Sequence, residues 1–289
     1  MSMRLTKRSN EIVTPAKINL CLETVAKRPD GYHDIRSIMC GVGLYDVVTL
    51  TSAKKEITVT SNNKTIPVDE SNLAYKAAAL LMEKAGISGG LTIHLEKHIP
   101  VAAGLGGGSS DAAAVLKGMN DCYNLTLSRS ELMDLGPEIG ADVPFFFFHG
   151  TALATGIGER LSSLAISPPF WTVLVTPPFP VSAGWAYSRC ELKSSNKSIA
   201  NSKEIDLLNI GTDLLFNALE YPVMKRFPEI DGIKKLLIKY GAWGSLMSGS
   251  GPTVFGIFFE EMKAKEAKNR LLDDHAARKW NVSVAKGLT

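Results

Sequence analysis

The sequence predicts an α+β or α/β protein with two lobes. Runs that alternate apolar and polar residues, as strands do, occur in both halves of the 289-residue chain, between alanine- and leucine-rich segments typical of helices. Two proline pairs, at 168–169 and 177–178, flank a strand rich in Val and Leu. Because proline interrupts regular structure, we expect the boundary between the lobes in this region.

The composition is that of a soluble globular protein, with 45% hydrophobic and 21% charged residues. A formal net charge of +3 is too small to make nucleic-acid binding the default expectation, although it leaves room for a local anion site. The basic N-terminus has no apolar core of signal-peptide length, and the most apolar stretch, 143–158, is too short and glycine-rich to cross a bilayer. We therefore expect a cytoplasmic protein without nucleic-acid or membrane partners.

In the first half, the patterns predict a strand at 12–25, a loop at 30–37, strands at 47–53 and 56–61, a helix at 71–86 and a strand at 91–100. Ser71 is the expected N-cap of that helix, and Gly86 its expected end. In the second half they predict helices at 110–124 and 128–140, a strand within 168–182, a polar surface loop at 194–206, a helix at 230–240, a glycine-serine cluster with a strand at 243–259 and a charged, solvated helix at 260–279. Ser128 and Glu131 form a capping-box pattern.

Neither the cysteines nor most of the histidines have metal-ligand spacing. The scattered cysteines, expected to be reduced and buried, are Cys21, Cys40, Cys122 and Cys190. The histidines expected to be structural are His94, His98, His149 and His275. The four phenylalanines of 145–148 are expected in the core.

The segment PVAAGLGGGSSD, residues 100–111, places four glycines and two serines between a strand and a helix. A dinucleotide fingerprint fails because Ser109 stands where the last glycine belongs, and no acidic residue follows at the required distance on a strand. A Walker A loop fails because no lysine follows the glycines. A turn without a ligand and a cradle for phosphate remain.

A glycine loop before a helix is suited to polyphosphate. Glycine lets backbone N–H groups approach an anion closely, and the helix adds its unpaired N–H groups and the positive end of its dipole. Ser109 and Ser110 could then donate hydroxyls to phosphate or face a bound Mg²⁺.

Three ordered stretches, 14–37, 100–113 and 246–256, resemble the three motifs of the GHMP kinases, which phosphorylate small metabolites. This resemblance implies the two-lobed α+β GHMP-kinase fold, with an N-terminal ATP-binding lobe at 1–165 and a C-terminal α/β sandwich lobe at 166–289. RPDGYH after PAKINL, GLGGGSSDAA and GADVPFF are similar to the branch whose substrate is a cytidine-diphosphate-linked methylerythritol, in the non-mevalonate route to isoprenoid precursors.

The resemblance makes Asp142 the catalytic base and Lys17 the cation that assists it. From the residues alone, Asp142 could equally be a turn residue and Lys17 a solvent-facing strand residue. The apolar surroundings of Asp142 favour a carboxylate that has a partner or a task. Asn19, on the same strand face as Lys17, would bind substrate or Asp142.

The implied ATP site comprises Asn72, Lys97, Pro100, Val101, Ala102, Ala103, Gly104, Leu105, Gly106, Gly107, Gly108, Ser109 and Ser110. The implied substrate site comprises Asn19, Tyr32, His33, Tyr187 and Gly249, with Gly251 beside the last. A tyrosine ring can stack on a pyrimidine while an imidazole reads its edge. Tyr187 is the expected second aromatic of the cytosine site, with Trp185 and Phe179 behind it.

The implied reaction is phosphorylation of the substrate 2-hydroxyl by ATP with Mg²⁺, in a monomer or weak homodimer. No protein ligand for Mg²⁺ can be assigned from the sequence. Alternatives are a GHMP kinase for mevalonate or homoserine and a nucleotide-binding protein without catalysis. A dehydrogenase is disfavoured by the spacing of the glycine loop.

Overall fold

The computed structural model describes residues 10–148, 150–193, 203–274 and 278–289. Within them, the strands are β1 (Asn10–Lys27), β2 (His33–Ala53), β3 (Ile57–Ser61), β4 (Gly90–Glu96), β5 (Thr151–Thr155), β6 (Arg160–Ser167), β7 (Trp171–Thr176), β8 (Glu204–Asp206), β9 (Phe216–Asn217), β10 (Gly244–Met247), β11 (Val254–Phe258) and β12 (Asn281–Leu288). The α-helices are α1 (Leu73–Ala85), α2 (Gly107–Tyr123), α3 (Arg129–Ile139), α4 (Ala183–Ser188), α5 (Leu207–Ile210), α6 (Glu220–Arg226), α7 (Glu229–Lys239) and α8 (Glu261–Asp274). Short 3₁₀ helices lie at Val143–Phe147 and Thr212–Leu214.

Most strand pairs are antiparallel, including β2 with β4, β5 and β12, and β7 with β11 and β12. Parallel pairing occurs between β1 and β9, β3 and β4, and β6 and β8. Sheets of this mixed kind, with helices irregularly interspersed, define the α+β class, so that part of the prediction is confirmed.

The chain divides into two compact units that interleave along the sequence. Of the described residues, unit one contains 10–16, 45–101 and 106–148, and unit two contains 17–44, 102–105 and the described residues from 150 onward. Both β1 and β2 therefore run from one unit into the other. The single boundary between 165 and 166 stays a proposal.

In unit one, α1 and α2 pack on each other and on a sheet formed by β3, β4 and the second half of β2. The N-cap of α1 is Asn72, and the expectation of Ser71 is wrong by one residue. Asn72 has an extended backbone and its Oδ1 accepts the N–H of Ala74 at 2.8 Å, whereas the Ser71 hydroxyl donates to Asp69 at 2.6 Å. Gly86 ends α1 in the left-handed region at φ +61°, as predicted.

The predicted capping box of α3 is present, since Ser128 accepts the N–H of Glu131 and Glu131 accepts that of Ser128. After α3, the phenylalanine run forms the 3₁₀ helix. Phe145 and Phe147 are buried, while Phe146 and Phe148 are partly exposed, so only half of this run is core. A helical turn points successive side chains in different directions, which divides the run.

In unit two, β7 lies between β11 and β12, and β10 pairs with β11. Helices α7 and α8 pack against these strands. The buried positions of α8 are Ala264, Ala267 and Leu271, and most other positions are solvated as expected. Strand β12 was not predicted, because it follows a charged helix and carries only a weak alternation.

Three further expectations need correction. The predicted loop at 30–37 is mostly strand, because β2 begins at His33 and pairs with β5 from Ser37, which lies opposite Ala154. Within the predicted polar loop at 194–206, residues 194–202 lie outside the described residues, and 204–206 form β8. All four cysteines are free, but Cys190 is only partly buried. His149 and His275 also lie outside the described residues.

Candidate active site

The glycine loop has left-handed backbone at Ala102 (φ +51°), Gly104 (φ +76°) and Gly106 (φ +71°). This lets the chain turn sharply into α2, which begins at Gly107, three residues earlier than predicted. The N-cap Gly106 makes no side-chain capping bond. The Ser110 N–H donates to the Gly106 carbonyl at 2.9 Å, whereas the preceding N–H groups of α2, from Gly107 to Ser109, have no side-chain cap from Gly106, as a phosphate site at a helix N-terminus requires.

Residues 102–105 of this loop are interlocked with the third glycine-serine segment. A Cβ on Gly104 would overlap the carbonyl oxygen of Ser248 and lie 2.9 Å from the nitrogen of Gly251. The Ser248 hydroxyl donates to the Gly104 carbonyl at 2.9 Å. The Thr253 N–H donates to the Ala103 carbonyl at 3.3 Å. Two motifs separated by about 140 residues in sequence thus form one backbone surface in unit two.

Lys17 is buried, with 4% exposure, which excludes a solvent-facing strand residue. Its Nζ donates to Oδ1 of Asn19 at 2.7 Å, as expected from their shared strand face. Nδ2 of Asn19 donates to Ser37 at 2.8 Å, and the Ser37 hydroxyl donates to the carbonyl of Cys21 at 2.7 Å. The backbone N–H of Lys17 donates to the carbonyl of Leu105 at 2.9 Å, so the lysine lies beside the glycine loop.

The Ser110 hydroxyl bonds β1, and its expected contact with phosphate or Mg²⁺ stays a prediction. The Ser110 side chain is fully buried, donates to the carbonyl of Pro15 at 2.6 Å, and lies 2.6 Å from the Thr14 hydroxyl. These bonds attach the first turn of α2 to β1. Ser109 is partly exposed and remains a predicted phosphate contact.

Lys97 forms a buried ion cluster in unit one. Its Nζ contacts Oδ2 of Asp46, and it donates to Oδ2 of Asp111 at 2.6 Å; the three side chains are at most 4% exposed. Oδ1 of Asp46 also accepts the N–H groups of His98 and Ile99 at 2.6 and 2.8 Å. The ammonium is thereby committed to two carboxylates.

Asp111 is the fifth residue of α2, and its Oδ1 has no hydrogen-bond partner among the described residues. Burial raises the pKa of the Asp111 carboxyl to about 7; Lys97 opposes this shift and the Asp46 charge adds to it. Neither aspartate was predicted as part of the site, because an acidic residue in a polar turn or an alanine-rich helix carries no distinguishing signal.

The other residues assigned to the nucleoside end of ATP also make local contacts. Asn72 caps α1, and its Nδ2 donates to the carbonyl of Pro67 at 2.7 Å. The backbone N–H and carbonyl of Lys97 both bond the side chain of Asn62, at 2.8 and 3.3 Å. ATP contacts by Asn72 and Lys97 stay predictions.

His33 is buried, with 7% exposure, and its ring stacks on Tyr187 with centroids 5.5 Å apart and a 29° angle between planes. Nδ1 of His33 has no hydrogen-bond partner among the described residues. Burial, and secondarily the Lys27 charge, lower its pKa, which favours the neutral ring. Tyr32 beside it is 57% exposed. A stacked, neutral ring with a vacant buried nitrogen beside an exposed tyrosine suits recognition of a planar base.

The aromatics expected behind Tyr187 form a separate group. Phe179 stacks on Phe227 with centroids 4.6 Å apart, and Trp185 meets Phe227 edge-on at 6.3 Å.

Asp142 is partly exposed in unit one, at the start of the 3₁₀ helix, and its carbonyl accepts the N–H of Phe145 at 3.2 Å. Its role as base stays a prediction.

Across the described ranges, no group of three His, Cys, Asp or Glu side chains is arranged to hold a metal ion. No helix among them has the length and apolar character needed to cross a bilayer.

The glycine loop at 102–105, interlocked with the third glycine-serine segment at 248–251, indicates a class of protein. The sequence profile described as "GHMP kinases N terminal domain" matches residues 72–150, and "GHMP kinases C terminal" matches 198–277. With the relatives described next, these matches show that the chain belongs to the GHMP kinases, enzymes that phosphorylate small molecules with ATP.

Several curated relatives share one name, 4-diphosphocytidyl-2-C-methyl-D-erythritol kinase. The protein from Syntrophotalea carbinolica is 45% identical over 90% of this chain and 93% of its own length. That from Geobacter metallireducens is 42% identical over 97% and 99%. A crystal structure of 4-(cytidine 5'-diphospho)-2C-methyl-D-erythritol kinase matches with a TM-score of 0.79, 32% identity, and coverage of 97% and 100%. Homoserine kinase from Cytophaga hutchinsonii matches with a TM-score of 0.76 at 19% identity over 99% and 96%, which shows the shared fold alone.

Proposed function

We propose that this protein transfers the γ-phosphoryl group of ATP to the 2-hydroxyl of 4-diphosphocytidyl-2-C-methyl-D-erythritol, in the non-mevalonate route to isoprenoid precursors. The observation that carries the proposal is the buried His33 ring next to the exposed Tyr32: it stacks on Tyr187, and its buried Nδ1 has no hydrogen-bond partner among the described residues. A cytidine handle needs such a base site, whereas mevalonate and homoserine contain no base. The names of the relatives at 41–45% identity support the same substrate.

In this proposal the oxygen of the substrate 2-hydroxyl forms a bond to the γ-phosphorus of ATP, while the bond between the γ-phosphorus and the β-phosphate oxygen breaks and ADP leaves. Asp142 accepts the proton of that hydroxyl. Lys17, oriented by Asn19, offsets negative charge on the transferred group. Phosphoryl transfer depends mainly on positioning and electrostatic stabilisation, so backbone amides and one cation can supply much of what it needs.

The open N-terminus of α2 and the backbone at Gly104–Gly108 would hold the triphosphate of ATP. Two observations support a triphosphate site here. A side chain at Gly104 would overlap the third glycine loop, and α2 has no side-chain cap that would compete with phosphate. Mg²⁺ bound with ATP would neutralise phosphate charge, and no protein ligand is assigned to it. Gly249 and Gly251 would approach the substrate phosphates.

The deciding experiment incubates the purified protein with ATP, Mg²⁺ and one acceptor at a time: the cytidylated methylerythritol, mevalonate or homoserine. We expect ADP release and a new phosphate monoester in ³¹P spectra with the cytidylated acceptor alone. Turnover of mevalonate or homoserine instead would assign the protein to another GHMP kinase activity. Nucleotide binding without ADP release from any acceptor would indicate a protein without catalysis.

The assignment of the base is tested by Asp142→Asn. General-base assistance contributes about 10²- to 10⁴-fold, so kcat should fall by that range while the melting temperature stays near that of the wild type. Asp121→Asn, an exposed aspartate on α2 paired with Lys117, is the matched control and should retain full activity. Near-normal turnover of a folded Asp142→Asn protein would remove Asp142 from the mechanism.

We also propose a cytoplasmic location and a monomer or weak homodimer. Light scattering of the purified protein across a concentration series checks the second point, and a stable higher oligomer would contradict it.

A further inference from the structure

The third glycine loop, residues 247–251, is held by a side chain outside all three motifs. Asn217 ends β9 and is 6% exposed. Its Nδ2 donates to the carbonyl oxygens of Met247 and Gly249, at 2.7 and 2.8 Å, and its Oδ1 accepts the N–H of Leu219 at 2.9 Å. Both amide hydrogens and the amide oxygen of Asn217 are therefore hydrogen-bonded. Two of these three bonds go to the loop, the bonds to Met247 and Gly249.

Glu220, on α6, bonds the same loop at the backbone N–H of Met247. Its Oε1 accepts the N–H of Met247 at 3.0 Å, and its Oε2 accepts Nζ of Lys234 at 2.6 Å. Met247 is thus bonded at both its N–H and its carbonyl by residues 217–220. A planar amide with two diverging N–H groups fixes the separation of the two carbonyls that it binds.

The loop held in this way lies next to Asn19, the hydrogen-bond partner of Lys17. A Cβ on Gly249 (φ +53°) would lie 3.1 Å from the carbonyl oxygen of Gly104 and 3.3 Å from Oδ1 of Asn19. That Oδ1 is the atom that accepts Nζ of Lys17. A displacement of Gly249 would therefore reach the Asn19 amide and, through it, the lysine ammonium.

We infer that Asn217 is a positioning residue for phosphoryl transfer, which fixes Gly249 against Asn19 and so sets the direction of the Lys17 ammonium. The inference rests on the proposed function, in which Lys17 stabilises the transferred phosphoryl group. Of the backbone assigned to the triphosphate, Gly104 adjoins the loop that Asn217 holds, whereas Gly107 and Gly108 begin α2 in unit one; loss of the clamp therefore affects the chemical step more than ATP binding.

The test compares Asn217→Asp and Asn217→Ser with Asn209→Ala. Aspartate has the same shape but puts an oxygen in place of Nδ2, facing both carbonyls, whereas serine keeps one donor. Asn209 is an exposed asparagine of unit two whose Nδ2 bonds its neighbour Asp206, which makes it a matched control. We expect kcat to fall about 10- to 100-fold in both Asn217 variants, with KM for ATP within about twofold of wild type.

Hydrogen exchange supplies a readout that does not depend on catalysis. The amides of Ser248 and Gly251, which donate to Thr253 and Ser248, should exchange faster in the Asn217 variants, while the core of β11 keeps wild-type protection. An unchanged kcat in folded variants, or an equal loss of ATP affinity, would overturn the inference. If the wild type fails to phosphorylate the cytidylated acceptor, the proposed function fails, and exchange still reports whether Asn217 holds the loop.

Discussion

Lys17 is a buried lysine with a defined acceptor, the Oδ1 of Asn19. Burying an ammonium group is unfavourable unless other groups replace its water. The two-residue periodicity of a strand places Asn19 next to Lys17, and Ser37 and the Cys21 carbonyl continue the chain of hydrogen bonds. The ammonium is therefore oriented before any ligand binds, which is the condition for efficient electrostatic stabilisation.

Tyr32→Ala tests the base site at the scale of one residue. Stacking of a base on an aromatic side chain is worth about 1–3 kcal/mol, so KM for the cytidylated substrate should rise about 5- to 150-fold. KM for ATP should stay within about twofold, since Tyr32 is assigned to the other substrate. Tyr221→Ala removes another exposed tyrosine of unit two and serves as the control. Equal increases in both KM values would contradict a specific cytosine contact.

At the scale of elements, the first five residues of α2 combine an open N-terminus with two buried attachments. Ser110 bonds β1, and Asp111 joins the ion cluster with Lys97 and Asp46. Nζ of Lys97 would lie 3.3 Å from a Cβ on Gly107, so the ion cluster packs against the backbone of Gly107. These attachments leave the N–H groups of the turn unobstructed while fixing the helix that carries them.

Asp111→Asn should make stability less sensitive to pH. The pKa of Asp111 is raised from 3.8 to about 7 in the folded protein, so its stabilising contribution is complete below about pH 4 and is lost as pH rises through 7. Between pH 6 and 8, the wild type should lose about 1 kcal/mol that the neutral asparagine variant retains. Thermal melts at both pH values measure this, with Asp121→Asn as the exposed control on the same helix. Parallel pH dependence in wild type and Asp111→Asn would contradict it.

For the whole molecule, the consequence of these sites is ligand-dependent stability. A ligand at 100 times its Kd stabilises the folded state by about 2.7 kcal/mol, which corresponds to a rise of roughly 5 °C in melting temperature. We expect such a rise with cytidine 5′-diphosphate and with ATP, and none with mevalonate or homoserine. Uridine 5′-diphosphate is the matched control, because it differs at the edge that His33 is proposed to read. An equal shift with both pyrimidine nucleotides would contradict edge recognition.

Local rules predicted much of the fold. The capping box of α3, the glycine end of α1 and the alternation of β4 depend on residues close in sequence, and all were found. What local rules did not predict has tertiary causes. His33 begins a strand because β5 pairs with β2, and Ser110 is buried because Thr14 and Pro15 lie against it.

The sequence by itself determined that this protein is an α+β GHMP kinase, because three ordered motifs resemble those of the family and its sequence profiles match residues 72–150 and 198–277. Tertiary structure alone decided that Lys17 is buried, that Gly104 meets Ser248, and that Asn217 holds the third loop. Such contacts join residues up to about 140 positions apart, and periodicity and spacing describe only neighbours along the chain.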